Sequence, residues 1–427
     1  MNEATEKEST GRAGEERDAE FIPFCKPELG DEEIAELVDT LRSGWLTTGP
    51  KVRLFEEAIA EYTGVRHVVA VNSCTAALHL ALLALGIGKG DEVITTPLTF
   101  CSTVNTIVHT GAKPVFVDVC PDTMNIQPDA VLKAITPRTR AIVVVDYAGH
   151  PVDHTSIRAI AEAHDLPVIE DAAHAIGAQF EQVPVGALST ITTFSFYAIK
   201  NMTTGEGGAF VTNDDELAEK ARIYSLHGMS KDAWKRYSSR GSWYYEVVYP
   251  GFKYNMMDMQ AALGLHQLKK LDGFIETRSR YSRIYDEYFV DSPLIQSPIS
   301  APNVRHAWHL YVIRLSVEQM DIDRAEFITK MMESGIGCTV NFIPVHLHPY
   351  YQTTYGYRTG MYPVAEDAYM RMVSLPLHPA MSEQDVARVA TAVMEIVEKH
   401  SRVKEPVSRD VARTDPPPPE TAMIAAK

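Results

Sequence analysis

The chain has 427 residues, of which 45% are hydrophobic and 22% are charged, the composition of a globular protein with a large core. Its formal net charge is −16 and no cluster of Lys and Arg offsets it, so nucleic acid and anionic membranes are not expected partners. No stretch is long and apolar enough to predict a membrane span, and five widely spaced cysteines without a CxxC motif indicate reduced thiols in the cytoplasm.

The two ends of the chain differ in composition from the rest. Residues 1–20 are polar and of mixed charge, and residues 401–427 contain consecutive prolines and few large apolar side chains. Because such segments cannot bury enough apolar surface to fold, we predict two disordered tails. Between the tails we expect a large domain over residues 21–270 and a small C-terminal domain over residues 271–400.

The first predicted element is an amphipathic helix over Asp31–Leu41, with four apolar residues on one face: Ile34, Leu37, Val38 and Leu41. Short apolar runs then predict seven strands: His67–Val71, Glu92–Thr95, Pro114–Val119, Ala141–Val145, Pro167–Ile169, Thr192–Phe196 and Ala209–Thr212. Helical patterns such as Thr75–Leu85 and Ser156–His164 fall between most of them. This alternation predicts an α/β fold with a mainly parallel sheet covered by helices on both faces.

A long helix is predicted over Asp258–Tyr288, where the chain leaves the large domain. A strand at His309–Leu315 and helices at Asp323–Glu333 and Ser382–Lys399 follow it. Ser382 is a suitable N-cap for the last helix. These elements predict a small α+β domain.

A lysine follows one of the predicted strands. Lys200 comes shortly after Thr192–Phe196 and before the flexible stretch Gly205–Gly208. A lysine at a strand end can form a Schiff base with an aldehyde when its amine is partly desolvated. The alternative is a solvated lysine in a surface loop. When the lysine is considered by itself, this alternative is favoured.

An acidic residue follows another predicted strand. Asp171 comes directly after Pro167–Ile169 and Glu170, at the carboxyl end of the strand, where ligands bind in parallel α/β sheets. A carboxylate there can keep a pyridinium nitrogen protonated, which makes the ring a good electron sink. The structural alternative is an aspartate that caps the next helix.

Two more junctions carry candidate binding residues. The segment Val71–Ala77 passes from strand to helix, so free N–H groups and the Thr75 hydroxyl could bind phosphate. Phe100 could stack on a flat cofactor ring. Considered separately, the first site is explained by an ordinary helix N-cap and Phe100 by a phenylalanine in the core. Their order along the chain is more informative: phosphate site, stacking aromatic, acid for a ring nitrogen, lysine.

Together these segments resemble the sugar aminotransferases of the DegT/DnrJ/EryC1/StrS family, over roughly residues 21–398. Six motifs in family order carry the resemblance: Ser43–Pro50, Asp91–Ile94, Glu170–His174, Phe194–Asn201, Gly251–Met256 and Ser374–His378. The resemblance implies the fold type I architecture of transferases that depend on pyridoxal 5′-phosphate (PLP), with PLP as the cofactor.

The resemblance also implies roles for individual residues. Lys200 is expected to bind PLP covalently and to act as the catalytic acid–base. Asp171 is expected to pair with the pyridinium nitrogen, His174 to lie near the phenolic oxygen, and Phe100 to stack on the ring. The implied phosphate-binding positions are Thr75, Ala76 and Ser195.

The same resemblance implies a homodimer with shared active sites. Asn255 matches a residue that the family donates to the cofactor phosphate of the other subunit. The diphosphate of a nucleotide needs cationic groups despite the negative net charge, and Arg240 and Lys253 are candidates for it. Trp45 is a candidate contact for the nucleotide or the sugar. The alternative for Arg240 and Lys253 is a solvated position on the surface, and the alternative for Trp45 is a structural role.

The implied reaction is transamination of a nucleotide-linked 4-keto sugar, with L-glutamate as the donor. The segments Phe24–Pro50 and His306–Leu310 are similar to family members that aminate sugar C4, such as the enzyme that makes UDP-4-amino-4-deoxy-L-arabinose. Tyr197 and Asp146 differ from the histidines found at these positions in relatives, and we expect both near the sugar. The nucleotide base and the sugar configuration stay open.

Three alternative functions are less well supported by the sequence. A PLP-dependent sugar dehydratase of this fold has His in place of the lysine, and Lys200 argues against it. A non-catalytic regulator is disfavoured because the cofactor-binding set is complete. A metal site at His306–His309 or His346–His348 is not predicted, because no carboxylate stands at ligand spacing beside these residues.

Overall fold

The computed structural model describes residues 21–229 and 244–402. Its helices are α1 Asp31–Ser43, α2 Pro50–Thr63, α3 Cys74–Ala84, α4 Cys101–His109, α5 Pro128–Ala134, α6 His154–Ala163, α7 Asp215–Ser225, α8 Asp258–Phe289, α9 Arg324–Glu333, α10 Pro349–Tyr355, α11 Pro363–Arg371 and α12 Glu383–Lys399. Its strands are β1 His67–Val71, β2 Glu92–Thr95, β3 Lys113–Phe116, β4 Thr139–Val145, β5 Val168–Asp171, β6 Gln179–Phe180, β7 Val183–Pro184, β8 Ile191–Ser195, β9 Gly208–Thr212, β10 Ile295–Gln296, β11 Val304–Arg305, β12 Tyr311–Leu315 and β13 Met372–Leu375.

The central sheet has seven strands in the order β1-β9-β8-β5-β4-β2-β3. Only β9 runs antiparallel to its neighbours, so the predicted mainly parallel sheet is confirmed. Alternate residues of one strand enter different cores. Val143 packs with α3 residues, whereas Ile142 and Val144 pack with residues of α5 and α6. Both faces are therefore covered by helices, which explains why the strands are almost continuously apolar.

The long helix α8 joins two hydrophobic cores. Its first half packs against α2 and the central sheet through residues such as Leu268 and Leu271. Its second half packs through Tyr285 and Phe289 against the three-stranded sheet β10-β12-β13 and α12. The division of the chain near residue 270 falls inside this helix, and the boundary itself stays a prediction.

The predicted helix at the start of the chain is confirmed as α1, but its apolar face does not point into the core. Ile34 is 59% exposed and Leu41 48% exposed, whereas Glu33 and Thr40 are buried. The reason is a polar contact with α8, in which Glu33 accepts hydrogen bonds from Gln267 and Lys270, each at 2.8 Å. An apolar stripe is thus left on the surface of the single chain.

Several elements were not predicted, among them α2, α4 and β13. The residues of α4 include Ser, Thr and Asn, which have weak helix propensity, so its helical state depends on tertiary packing. The predicted tails lie outside the described residues, except that Ser401 pairs with Met320 and the Arg402 N–H donates to the Gln319 carbonyl at 2.8 Å. Among the residues that the structure describes, no helix has the length and apolarity needed to cross a membrane.

Candidate active site

A cavity of about 410 Å³ opens at the carboxyl ends of the central strands. The lining includes most of the residues selected from the sequence: Thr75, Phe100, Asp171, His174, Ser195 and Lys200. They come from different segments, but strands of a parallel sheet all end at the same edge. The fold therefore brings these residues together around one cavity.

Lys200 follows β8 in a turn, in which its N–H donates to the Tyr197 carbonyl at 2.9 Å. Desolvation lowers the pKa of its amine from 10.5 to about 8, although Cys74 and Asp171 act in the opposite direction by attracting the charged form. The side chain keeps some solvent exposure, so the amine faces the cavity rather than the sheet core. A lysine with such a pKa is partly neutral near neutral pH and can act as nucleophile and base.

Asp171 ends β5 and is 5% exposed. The Thr103 hydroxyl donates to its Oδ2 at 2.6 Å, and the Ala173 N–H donates to its Oδ1 at 3.2 Å. Burial raises the pKa of the carboxyl group, and these hydrogen bonds oppose that rise. A buried carboxylate of this kind is stabilised by a cation placed beside it, such as a protonated ring nitrogen.

The start of α3 forms another wall of the cavity. Ser73 is the N-cap, and its hydroxyl accepts a 3.1 Å hydrogen bond from the Ala76 N–H. The N–H groups of Cys74 and Thr75 lie in the first turn, where no carbonyl of the helix can accept from them, and are suited to bind an anion. A Cβ at Gly208 would lie 2.4 Å from the Ser73 carbonyl carbon, so glycine there permits this close approach.

Ala76 is the exception among the implied phosphate-binding residues. It is 3% exposed and is not among the residues that line the cavity. Its N–H is already used, because it donates to the hydroxyl of the N-cap Ser73. Its role in phosphate binding stays a prediction. Ser195, at the end of β8, does line the cavity.

Aromatic and imidazole rings surround the cavity entrance. Phe100 is 57% exposed, and its ring centroid lies 5.7 Å from that of Phe342. The His174 and His309 rings are 4.3 Å apart. Burial lowers the pKa of both histidines well below 6.5, so both rings are neutral at pH 7. The Ala148 N–H donates to His174 Nδ1 at 3.2 Å, which places the His174 proton on Nε2.

Three other residues selected from the sequence do not line this chain's own cavity. Lys253 donates to Asn255 Oδ1 at 2.6 Å, and Asn255 donates to the Thr48 hydroxyl at 2.6 Å. The Trp45 indole N–H donates to the Thr48 carbonyl at 3.0 Å. Trp45, Asn255 and Lys253 therefore form one group around Thr48, and none of the three lines the cavity. Arg240 lies outside the described residues.

The structure also corrects one expectation and adds residues that the sequence did not single out. Asp146 is fully buried and is not part of the cavity wall, whereas Tyr197 is. Thr103, His309 and Phe342 were missed. Thr103 lies in the first turn of α4, and its hydroxyl is 2.7 Å from that of Thr99, which precedes the helix. Phe342 lies in a loop far along the chain and has no local signal.

The residues around the cavity fit PLP. They offer an amine of lowered pKa for the aldehyde, a buried carboxylate for the ring nitrogen, a helix start for the phosphate and Phe100 for the ring face. No other described part of the chain combines these four features around one space.

Comparisons with known proteins agree with this arrangement. Residues 27–394 match the model of the DegT/DnrJ/EryC1/StrS aminotransferase family. The spore coat polysaccharide biosynthesis protein SpsC of Bacillus subtilis is 53% identical over 378 residues, which cover 88% of this chain and 97% of SpsC.

Solved structures are also similar. Spr1654 of Streptococcus pneumoniae, described as a sugar aminotransferase and solved in its PLP form, gives a TM-score of 0.83 at 33% identity, over 89% of this chain and 99% of that one. PseC of Helicobacter pylori, an aminotransferase involved in pseudoaminic acid biosynthesis, gives 0.83 at 33% identity, over 89% and 100%. The chain therefore belongs to the DegT/DnrJ/EryC1/StrS family of PLP-dependent sugar aminotransferases and has the fold type I architecture.

Proposed function

We propose that the protein transfers an amino group from L-glutamate to C4 of a nucleotide-linked 4-keto sugar, as a homodimer in the cytoplasm. The observation that carries the proposal is the Lys200 amine, whose pKa is lowered to about 8 and which faces the same cavity as Asp171 and the start of α3. Family membership supports sugar amination. The C4 position rests on the resemblance of Phe24–Pro50 and His306–Leu310 to enzymes that aminate C4.

The mechanism assigns one task to each group of residues. PLP supplies an electron sink for the negative charge that develops at the donor's Cα. Lys200 Nζ takes the proton from this Cα in the first half of the reaction and delivers a proton to the sugar's C4 in the second half. Asp171 holds positive charge at the ring nitrogen, and Thr75 with the first turn of α3 binds the phosphate. One lysine is thus both the covalent attachment and the acid–base group.

The homodimer is supported by a surface outside the cavity. Asn255, Lys253 and Trp45 are grouped around Thr48 and do not reach this chain's own cavity. Exposed apolar side chains occur on the neighbouring elements: Ile34, Leu41, Trp45, Leu46, Leu54 and Met257. We propose that this surface meets a second copy, so that Asn255 binds the phosphate in the partner's cavity while Lys253, Trp45 and Arg240 bind the nucleotide sugar.

The absorption spectrum tests the proposed donor and acceptor separately. Purified enzyme is expected to absorb near about 410 nm, and L-glutamate should shift the band to about 330 nm as the cofactor takes the amino group. UDP-, dTDP- and GDP-linked 4-keto sugars are then added to the aminated enzyme, and the substrate is the one that restores the first band. Lys200→Ala, as the control, should show no turnover.

Each half of this experiment has its own negative outcome. A yellow enzyme that does not respond to glutamate would exclude glutamate as the donor. An aminated enzyme that no nucleotide-linked 4-keto sugar returns to the starting spectrum would contradict the acceptor. Appreciable turnover by Lys200→Ala would contradict the role of this lysine.

A further inference from the structure

A second cluster of ionisable side chains lies behind the active site. Asp146 directly follows β4, Glu170 is in β5 and His154 is the first residue of α6. Asp146 and Glu170 are 0% exposed and His154 is 5% exposed. One potential ligand atom of each residue lies within 4.8 Å of those of the other two. Glu170 and Asp171 are consecutive on a strand and point to opposite faces of the sheet, so this cluster is separate from the cavity.

Each of the three side chains has one polar atom without a partner outside the cluster among the described residues. Asp146 Oδ1 accepts a 3.0 Å hydrogen bond from the Val152 N–H, and Glu170 Oε2 accepts one of 2.7 Å from the Thr192 hydroxyl. The other oxygen of each carboxyl group, together with His154 Nε2, has no partner outside the cluster among the described residues. Within the cluster, His154 Nε2 and Glu170 Oε1 are 2.8 Å apart, the distance of an ion pair.

This pattern is the one found around bound metal ions. One carboxylate oxygen is oriented by a hydrogen bond from the surrounding shell, and the other is left for the metal. Around tetrahedral Zn²⁺, donor atoms at about 2.0–2.2 Å from the ion are separated by roughly 3.3–3.6 Å, which small side-chain movements here would reach. One imidazole nitrogen and two carboxylate oxygens are ligands that suit Zn²⁺ or Mn²⁺.

The charge of the cluster also favours a bound cation. Two ionised carboxylates carry a charge of −2 where water is excluded, and an uncompensated buried charge is strongly unfavourable. One divalent cation neutralises the cluster.

A surface groove reaches one member of the cluster, His154. A groove of about 570 Å³ is lined by His154, Ile157, Leu166, Ser189 and Thr190. Glu162 and Asp165 also line the groove, so it bears acidic groups that attract cations. The Ser189 hydroxyl is buried and has no hydrogen-bond partner among the described residues, which leaves it free to bind a water molecule.

From these observations we propose that Asp146, His154 and Glu170 form a binding site for one divalent transition-metal ion, with Zn²⁺ as the best match. The ion joins the end of β4, β5 and the start of α6. Because Glu170 precedes Asp171, it also fixes the strand that positions the acid of the active site. The site is structural, and the proposal is independent of the amino donor and acceptor.

The test measures metal content and zinc affinity in the holoenzyme. Elemental analysis of protein purified without chelator, or reloaded with Zn²⁺ after treatment with EDTA, should give about one zinc per chain. His154→Gln and Glu170→Gln should lose this zinc, with affinity lowered at least roughly 100-fold in competition with a chromophoric chelator. Thr192→Val keeps all three ligands but removes the orienting hydrogen bond, and should lower zinc affinity about tenfold.

The matched control is His164→Gln, which removes an exposed histidine just beyond the end of the same helix and should bind zinc like the wild type. Zinc held by the phosphate of PLP would persist in all variants and is distinguished in this way. If a ligand variant fails to fold, the zinc affinity of Thr192→Val and the metal content of the wild type still test the proposed site. Wild-type enzyme that binds neither Zn²⁺ nor Mn²⁺, or ligand variants that bind zinc as tightly as the wild type, would overturn the proposal.

Discussion

The Thr103 hydroxyl donates a 2.6 Å hydrogen bond to Oδ2 of Asp171, and Thr103 is in turn 2.7 Å from the Thr99 hydroxyl. This bond favours the ionised carboxylate, whereas burial raises its pKa. Thr103→Val should therefore raise the pKa of Asp171 further and weaken its hold on a protonated ring nitrogen. Since a hydrogen bond to a charged group contributes about 1.5–3 kcal/mol, kcat should fall roughly tenfold or more.

The control is Thr103→Ser, which keeps the hydroxyl and should retain most of the activity. The measurement is kcat for the glutamate half-reaction as a function of pH, together with a spectral titration of the bound cofactor. If Thr103→Val and the wild type have the same kcat and the same pH dependence, the hydroxyl has no part in holding Asp171 in its ionised form.

The lowered pKa of Lys200 predicts how the apoenzyme responds to pH. The rate at which apoenzyme binds PLP covalently should follow the neutral amine and reach half of its maximum near pH 8. An ordinary lysine would give a midpoint near its usual 10.5. The rate is measured by stopped-flow absorbance, and a midpoint above about pH 10 would show that burial does not perturb this amine.

The same shift has a consequence for stability. Between pH 8 and 10.5 the unfolded chain still holds the lysine proton that the folded apoenzyme has released, so the free energy of unfolding should rise with pH across this window. Lys200→Met lacks the titrating amine. Its apoenzyme should therefore melt at a higher temperature than the wild type at pH 7, and the difference should shrink toward pH 10.5. A difference in melting temperature that is constant over this range would contradict the shift.

The exposed ring of Phe100 predicts an effect on cofactor retention. Stacking of aromatic rings contributes about 0.5–1.5 kcal/mol beyond area burial, so Phe100→Ala should raise the dissociation constant of PLP roughly threefold to tenfold. Phe100→Trp should bind PLP at least as tightly as the wild type. Phe21→Ala removes a similarly exposed ring that does not line the cavity and is the control. Unchanged PLP binding by Phe100→Ala would exclude stacking.

Much of the site could be predicted because parallel strands share one edge. Lys200, Asp171 and Thr75 follow three different strands, and a sequence that alternates strands with helices brings all three to the same side of the sheet. Each residue alone had an ordinary explanation. Their common edge and their order along the chain made the combination informative.

Tertiary contacts explain what could not be predicted. Phe342 reaches the cavity from a loop of the C-terminal part, and no local pattern records that approach. The sequence predicts an apolar face on α1, but the buried residue is Glu33, which pairs with Lys270 on α8, and Ile34 is exposed. Asp146 resembled a substrate contact by position, yet it lies with His154 and Glu170 behind the sheet.

The proposed sharing of active sites can be tested by mixing two inactive variants. If Asn255 serves the partner's cavity, Lys200→Ala and Asn255→Ala damage different sites of a mixed dimer. One site of that dimer then has both residues intact. Unfolding and refolding an equal mixture makes about half of the dimers mixed, so total activity should recover to about a quarter of the wild type.

A second mixture is the control for this experiment. Asp171 and Lys200 line the same cavity of one chain, so a mixed dimer of Asp171→Asn and Lys200→Ala has one defect in each site. It should recover no activity, because each of its two cavities contains one of the two substitutions. Recovery in the first mixture alone means that the cavity is completed by the other subunit. If the first mixture yields no more than the sum of its parents, Asn255 acts within its own chain and the shared-site dimer is wrong.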